Sequence, residues 1–361
     1  MRARRSHGSW RDARSVSLLG MGTALPGAPI STAELLERLH TRFDVDVRRQ
    51  GVALAGRLGI HTRHISRDLA RRHEGPRAGD SNAELAARAL QAALGESGVR
   101  PNDLSYLIAH TTTPGRLLPA NIAQVADLIG YCGPFAELRQ ACTGFANALV
   151  FAMSLLHTPD CGPVAIVGSE TGSIFFDPPR AAKDSGQLIN LIQMGDGAAA
   201  CVLASRGTTT SAARVSHVFH GYSGSGLQPG FSLTTGGSDF APTPGAIPEF
   251  LHDYSSVAEH GVGLFADGLA AAQQLGIDCS VVDYFIPHQA NGHMASLLAA
   301  RIEVDQARIF VNADRIGNTG SAAVWLALAE LRSRLHVGDC VCVLGAEATK
   351  YLFGGFQYVH A

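Results

Sequence analysis

The stretch Glu137-Leu-Arg-Gln-Ala-Cys142-Thr-Gly-Phe-Ala-Asn-Ala-Leu-Val-Phe-Ala-Met-Ser-Leu-Leu156 decides how this 361-residue chain is read. It reads as a short strand, a sharp turn and a helix that is apolar nearly all round. Phe145, Leu149, Met153 and Leu156 recur at helical spacing, while Ala146, Ala148, Val150 and Ala152 fill the other faces. A helix of that kind belongs in the centre of a large domain. Cys142 stands at its start, where free N–H groups and the helix dipole favour a thiolate. Gly144 lets another group come close to the backbone. A nucleophile raised on a strand-to-helix turn is a recurring catalytic device. A single cysteine in such a place is more often a packing residue.

A second copy of the pattern changes that reading. Asn318-Thr-Gly-Ser-Ala-Ala-Val-Trp-Leu-Ala-Leu-Ala-Glu-Leu331 repeats the Thr-Gly and opens another helix of buried character. A strand ending in histidine precedes each copy, at His110 and at His288. Another strand follows each, through Gly168-Ser-Glu170 and Gly345-Ala-Glu347. The offsets are 178 from His110 to His288, 176 from Cys142 to Asn318 and 177 from Gly168 to Gly345. Three nearly equal offsets in one order argue for a duplicated α/β unit. In such a duplication the equivalent helix starts meet at a pseudo-twofold axis, which would bring Cys142, Asn318 and His288 together.

Composition sets the bounds. The chain is 46% hydrophobic and 17% charged, which suits a large, well-buried α/β protein. Its net charge of −2 gives no reason to expect nucleic-acid binding. The seven cysteines, 132, 142, 161, 201, 279, 340 and 342, are odd in number and form no Cys-x-x-Cys. That is a reduced, cytoplasmic pattern without a structural zinc. No apolar run is long enough for a membrane span. Residues 1–14 are expected to be a disordered basic extension, 15–206 the first half with Cys142, and 213–361 the second half with His288 and Asn318.

Along the chain, residues 16–20 read as the first strand, and Ser31 or Thr32 caps a helix to residue 43. Residues 45–77 read as irregular, with His61 and His64 as exposed loop histidines, since no carboxylate or Cys completes a metal set. Asp80-Ser-Asn caps a helix over 83–97, and another is expected over 120–129. Residues 173–189 read as a surface excursion. Asp196, between glycines, is expected to satisfy the N–H groups of its own turn. Residues 206–212 mark the junction between halves. Helices over 257–275 and 294–302 and a strand over 308–311 complete the outline, with last strands over 340–344 and 353–359.

Ala141-Cys142-Thr-Gly-Phe145, Gly195-Asp-Gly197, Ile286-Pro-His288-Gln-Ala-Asn291 and Gly317-Asn318-Thr-Gly-Ser-Ala322 follow one another in this order. Together they resemble the β-ketoacyl-acyl-carrier-protein synthase III group of the thiolase superfamily, over roughly residues 15–360. The resemblance implies a duplicated five-layer α/β/α/β/α fold and a homodimer. It implies Cys142 as the acylated nucleophile, with His288 and Asn318 as donors to the thioester oxygen of a malonyl- or β-ketoacyl-type extender. It further implies substrate binding at Arg57, Leu118, Arg180, Asn291 and Thr349, and carrier docking at His293 and Arg301. The implied partners are an acyl carrier protein and acyl and malonyl-type thioesters. No metal or organic cofactor is implied, because phosphopantetheine or coenzyme A arrives with the substrate.

Departures from the family pattern favour a specialised-lipid or secondary-metabolite role over housekeeping fatty acid synthesis. The tryptophan that small-primer members carry before the arginine matching Arg57 falls here at Ala53. The glycine-rich C-terminal loop reads Gly345-Ala-Glu-Ala-Thr349-Lys-Tyr351, where Glu347 and Lys350 either pair or enter the active site. A lower-ranked alternative is acyl transfer to an oxygen or nitrogen acceptor without a new carbon–carbon bond.

Overall fold

A computed structural model describes residues 8–67, 79–206, 212–233, 237–238 and 250–361. Among these residues, nine strands form one sheet: β1 (Ser9–Ala24), β2 (Tyr106–His110), β3 (Phe135–Leu138), β4 (Val164–Glu170), β5 (Gly197–Ser205), β6 (Ala213–Tyr222), β7 (Tyr284–Pro287), β8 (Cys340–Glu347) and β9 (Leu352–Val359). Their spatial order is β7-β8-β9-β6-β1-β5-β4-β2-β3. The longer helices are α1 (Thr32–Phe43), α2 (Arg48–Leu58), α3 (Asn82–Ser97), α4 (Asn121–Ile129), α5 (Gly144–Leu156), α6 (Ser185–Gln193), α7 (Tyr254–Gln274), α8 (Met294–Ile302) and α9 (Ala323–Leu331).

The duplication is written in the sheet. In the first half β3, β2, β4, β5 and β1 lie side by side, with β2 parallel to β3 and β4, and β5 antiparallel to both its neighbours. In the second half β7 is parallel to β8, and β9 is antiparallel to β8 and β6. The counterpart of β3 has shrunk to one parallel bridge, Phe285 to Ile309, where the sequence suggests a strand over 308–311. The halves join through β1 and β6, which pair antiparallel from Ser9–Gly221 to Leu18–Ala213.

Five layers result. Helices α3 and α4 pack on the outer face of the first half, and α7 and α8 on that of the second. Between them lie α5 and α9, which touch strands of both halves. Their all-round apolar character has this cause: neither helix has a solvent face wide enough to need polar residues. Phe145, Trp325 and Phe356 meet edge-on or tilted there, with centroids 5.4–6.0 Å apart. Burying each ring stabilises the fold by about 1.5–3 kcal/mol.

Several expectations need correction. The expected disordered extension over 1–14 is overturned from Ser9, where β1 begins, because Ser9–Asp12 pair with β6. Asp12 also accepts from the backbone N–H of Arg14 at 2.9 Å and from its guanidinium. Residues 1–7 lie outside the described ones, as do 68–77 of the stretch read as irregular and 207–211 of the junction. That irregular stretch contains α2, closed by Gly59 in the left-handed region at φ 63°. The supposed excursion over 173–189 carries the start of α6, capped by Asp184, and Phe176 and Leu188 join Leu191 and Ile192 in a core shared with α1. His64 is buried, its Nδ1 3.2 Å from the carbonyls of Pro26 and Gly27. Asp196 reaches beyond its own turn, accepting from the N–H of Ser66 at 2.6 Å and of Ser173 at 3.0 Å. Finally, Asn318 is followed by a 3₁₀ turn, Gly320–Ala322, before α9 begins.

Candidate active site

Cys142 sits in the turn between β3 and α5, two residues before the helix begins. His288 follows β7, and its backbone N–H donates to Leu344 O at 2.8 Å. Asn318 is held by its main chain: its N–H donates to Gln193 O at 2.8 Å, and its carbonyl accepts from Gly195 N at 3.0 Å. These three residues, from three separate segments, line one cavity of about 690 Å³. Its apolar wall comes from Phe231, Phe250, Leu264, Phe265, Leu297 and Leu298. That size and lining fit a small-molecule or acyl-chain site.

The side chain of Asn318 is oriented for donation. Its Oδ1 accepts from the N–H of Gly320 at 3.0 Å, which leaves the two amide N–H groups for the cavity. His288 is buried, and that burial lowers its pKa to about 4. At neutral pH it is therefore an uncharged imidazole with one N–H to give. Its Nδ1 has no partner among the described residues.

Two carboxylates share the cavity. Glu347, 2% exposed at the end of β8, accepts from Thr143 N at 2.9 Å and Thr143 Oγ1 at 2.7 Å. Its other oxygen accepts from the hydroxyl of Thr349. The Lys350 ammonium turns away to the carbonyl of Leu227, so the choice between pairing with Lys350 and entering the site is resolved for the site. Glu170, at the end of β4, accepts from Thr112 N at 3.0 Å and from Ser321 Oγ at 2.6 Å, and burial raises its pKa. Burial first, then the charges of Glu347 and Glu170, push the Cys142 thiol well above its ordinary value. The helix-start argument for a thiolate is thus outweighed here: desolvation and two nearby anions disfavour the charged sulfur more than the helix N-terminus favours it.

His110, the counterpart of His288, stays behind the site. Its ring is fully buried, accepts from Trp325 Nε1 at 3.3 Å, and is held neutral by burial, with a pKa of about 3. It presses against two glycines. A Cβ on Gly144 would lie 2.7 Å from its Nδ1, and one on Gly168 2.6 Å from its Cε1. The close approach read from Gly144 is this ring.

Of the other residues named from the sequence, Asn291, Thr349 and Arg301 line the cavity. Arg57 is exposed on α2 and lies outside it, as does His293, whose ring reaches Gly56 O at 3.3 Å. Arg180 pairs with Asp184 at 3.4 Å and is also outside. Leu118 is 87% exposed and does not line the cavity of its own chain. Sequence reasoning did not single out Glu170. The signal was present: Glu170 and Glu347 are 177 residues apart, the offset of Gly168 and Gly345. Among the described residues, no group of three His, Cys, Asp or Glu side chains is placed to hold a metal.

Comparison with known proteins assigns the family. Residues 136–222 match 3-Oxoacyl-[acyl-carrier-protein (ACP)] synthase III, and 272–349 match the C-terminal region of the same family. The β-ketoacyl-[acyl-carrier-protein] synthase III of Bradyrhizobium sp. strain BTAi1 is 30% identical over 350 residues, covering 96% of this chain and 97% of the relative. The chain belongs to the β-ketoacyl-[acyl-carrier-protein] synthase III family. It shares that family's thiolase-like architecture and is a condensing enzyme of the synthase III type. Among solved structures, AbyA1, described as a tetronic acid condensing enzyme, superposes with a TM-score of 0.83 at 28% identity, covering 95% of this chain and 99% of that one. The Pseudomonas aeruginosa synthase III superposes with a TM-score of 0.75 at 24% identity, covering 96% and 98%, a likeness of fold. No described helix of this synthase III relative is long and apolar enough to cross a membrane.

Proposed function

We propose that this synthase loads an acyl group onto Cys142 and condenses it with a malonyl- or β-ketoacyl-type thioester on an acyl carrier protein. The observation that carries the reading is the meeting of Cys142, His288 and Asn318 in one largely apolar cavity. In the first half-reaction the sulfur of Cys142 attacks the donor thioester. The donor's carbon–sulfur bond breaks, the new one forms, and the thiol proton leaves with the released carrier thiol. Retaining a thioester keeps the acyl carbon electrophilic.

In the second half-reaction the extender loses carbon dioxide if it is a malonyl thioester, or its C-2 proton if it is a β-ketoacyl thioester, and the thioester oxygen of the enolate left behind takes hydrogen bonds from His288 and Asn318. Neutral donors fixed in a desolvated cavity suit that task, because they are already oriented when the charge develops. The enolate carbon then attacks acyl-Cys142 and the sulfur leaves. The bound groups are the substrates' own phosphopantetheine or coenzyme A. Arg301 at the cavity and the exposed His293 would face the carrier, while Arg57 and Arg180 lie outside the cavity lining.

A role in specialised lipid or secondary metabolism draws support from Ala53, from Glu347 in the C-terminal loop, and from the likeness to a tetronic acid condensing enzyme. A cytoplasmic homodimer fits the reading. Intact-protein mass spectrometry after incubation with acyl-carrier and acyl-coenzyme A thioesters tests it. One acyl adduct should appear on the wild type and none on Cys142→Ala. An adduct that persists in the variant rejects Cys142 as the nucleophile.

A further inference from the structure

The two half-reactions above do not use Glu347. Yet this carboxylate lines the cavity with Cys142, His288 and Asn318, on a strand end that is itself buried. Among the described residues, no cation pairs with it. Three donors hold it instead: the N–H and hydroxyl of Thr143 and the hydroxyl of Thr349. Two of the three are hydroxyls, which can turn away when the carboxylate takes a proton.

Decarboxylation of a malonyl thioester needs no base, since the departing carbon dioxide leaves its electron pair behind as the enolate. A fixed carboxylate beside that site would repel the malonyl carboxylate. A β-ketoacyl thioester has the opposite needs. It brings no carboxylate, and its C-2 proton, flanked by two carbonyls, has to be removed by a base.

We propose that Glu347 is the general base of the condensation and that the extender is a β-ketoacyl thioester, joined without loss of carbon dioxide. This rests on the reading of the chain as a condensing enzyme. The C-2–H bond breaks, its proton passes to a Glu347 oxygen, and its electron pair enters the thioester carbonyl as an enolate held by His288 and Asn318. The enolate carbon bonds to the acyl carbon on Cys142. The carbon–sulfur bond breaks, and the proton on Glu347 returns to the sulfur. Atoms and charge balance with no co-reactant.

Among the described residues, the titratable groups sharing the cavity with Glu347 are Cys142, Glu170, His252, His288, Arg139 and Arg301, while Lys350 beside it points to Leu227. The test is exchange at C-2 of the acetoacetyl thioester of N-acetylcysteamine in deuterated buffer, with no acyl donor, alongside acyl loading measured by mass. The wild type should exchange well above the enzyme-free rate. Glu347→Gln should lower the enzymatic exchange by at least about a hundredfold, far more than it changes acyl loading. Glu347→Asp keeps the charge but draws the carboxylate back by one methylene, and should retain part of the exchange that Glu347→Gln loses. Wild-type exchange at the enzyme-free rate, equal losses of exchange and loading in Glu347→Gln, or no more exchange in Glu347→Asp than in Glu347→Gln each overturn the inference. Should Glu347→Gln fail to fold, Glu347→Asp decides, since it should lower exchange more than loading. Absence of any acyl adduct on Cys142 refutes the condensing reading itself; a clear adduct without exchange refutes only the role of Glu347.

Discussion

Glu347 takes both the backbone N–H and the hydroxyl of Thr143 on one oxygen, at 2.9 and 2.7 Å, across the seam between the halves. The mirror contact exists: Glu170 of the first half accepts from Ser321 Oγ of the second at 2.6 Å. Each strand end therefore ties down the opposite helix start, and the turn carrying Cys142 is fixed by a residue 204 positions away. Thr143→Val keeps the N–H bond and loses the hydroxyl bond to a buried carboxylate. The expected cost is about 1.5–3 kcal/mol, read as a lower urea midpoint. An unchanged midpoint would show that the hydroxyl contributes nothing to the seam.

The packing around His110 gives a sharper contrast. A Cβ on Gly168 would stand 2.5 Å from the carbonyl oxygen of Ser321, which is backbone and cannot swing aside. Gly168→Ala should cost at least about 1–3 kcal/mol. Gly95, on α3, has no atom of the described residues within 4 Å of its Cβ position. Gly95→Ala should stabilise by up to about 1 kcal/mol through helix propensity. Melting temperatures that move the same way for both variants would contradict this account.

Acid should weaken the fold from an unusually high pH. Burial lowers the pKa of His288, His220 and His252 to about 4 and that of His110 to about 3. As pH falls below the unfolded value near 6.5, the unfolded chain takes up protons that the folded chain refuses. Each ring then removes about 1.4 kcal/mol per pH unit until its folded value is reached. Glu170 and Asp196, raised by burial, work the other way, since protonation relieves their desolvation. Four histidines outweigh them between pH 6.5 and 5. Urea midpoints should drop over that window; a flat profile there would mean that the rings take up protons inside the folded protein.

The duplication and the gathering of Cys142, His288 and Asn318 at one cavity were legible because they are carried by local patterns: Thr-Gly turns, apolar helices and strands ending in histidine. The ordered start of β1 was hidden by Arg11 and Arg14, whose charges suggested a solvated tail although the backbone pairs with β6. Helix α2 left little trace, because it buries only Gly51 and Ala55 and has no side-chain cap. Helix α6 was readable from Asp184 followed by Leu188, Leu191 and Ile192, but the flanking prolines and glycine masked it. Glu170 and Glu347 could not be paired with Ser321 and Thr143 from sequence, since those contacts span 151 and 204 residues.

The roles of the donors can be separated. Asn318 spends its side-chain oxygen on Gly320 and keeps its N–H groups for the cavity. Asn318→Ala should therefore still form the acyl adduct on Cys142, while condensation slows by about a hundred- to a thousandfold. Single-turnover loading and product formation, measured separately, check this. Equal losses in both would count against the division of labour.

Leu118 tests whether the acyl chain is measured by one subunit or by two. The substrate-binding role implied for Leu118 is tested as a gate: a leucine is smaller and more mobile than a phenylalanine, so it would let long chains pass that a phenylalanine would block. In this structure Leu118 and Leu117 are among the most exposed large apolar side chains, and neither lines the cavity of its own chain. A gate at Leu118 can thus act only on the cavity of a second copy, as a homodimer would allow. The alternative is that both leucines merely pack between subunits. Leu118→Phe distinguishes the two when acylation rate is followed against chain length. A gate predicts that the variant loses long chains and keeps acetyl, because each excluded methylene forfeits about 0.8 kcal/mol of burial. Mixing the variant with a Cys142→Ala partner adds the decisive arm. If the gate acts across the interface, the mixed dimer loads long chains normally, since its only reactive cysteine faces the wild-type Leu118 of its neighbour. A short-chain profile in that mixed dimer would place the gate within the chain that bears it, and identical profiles throughout would leave Leu118 as packing alone.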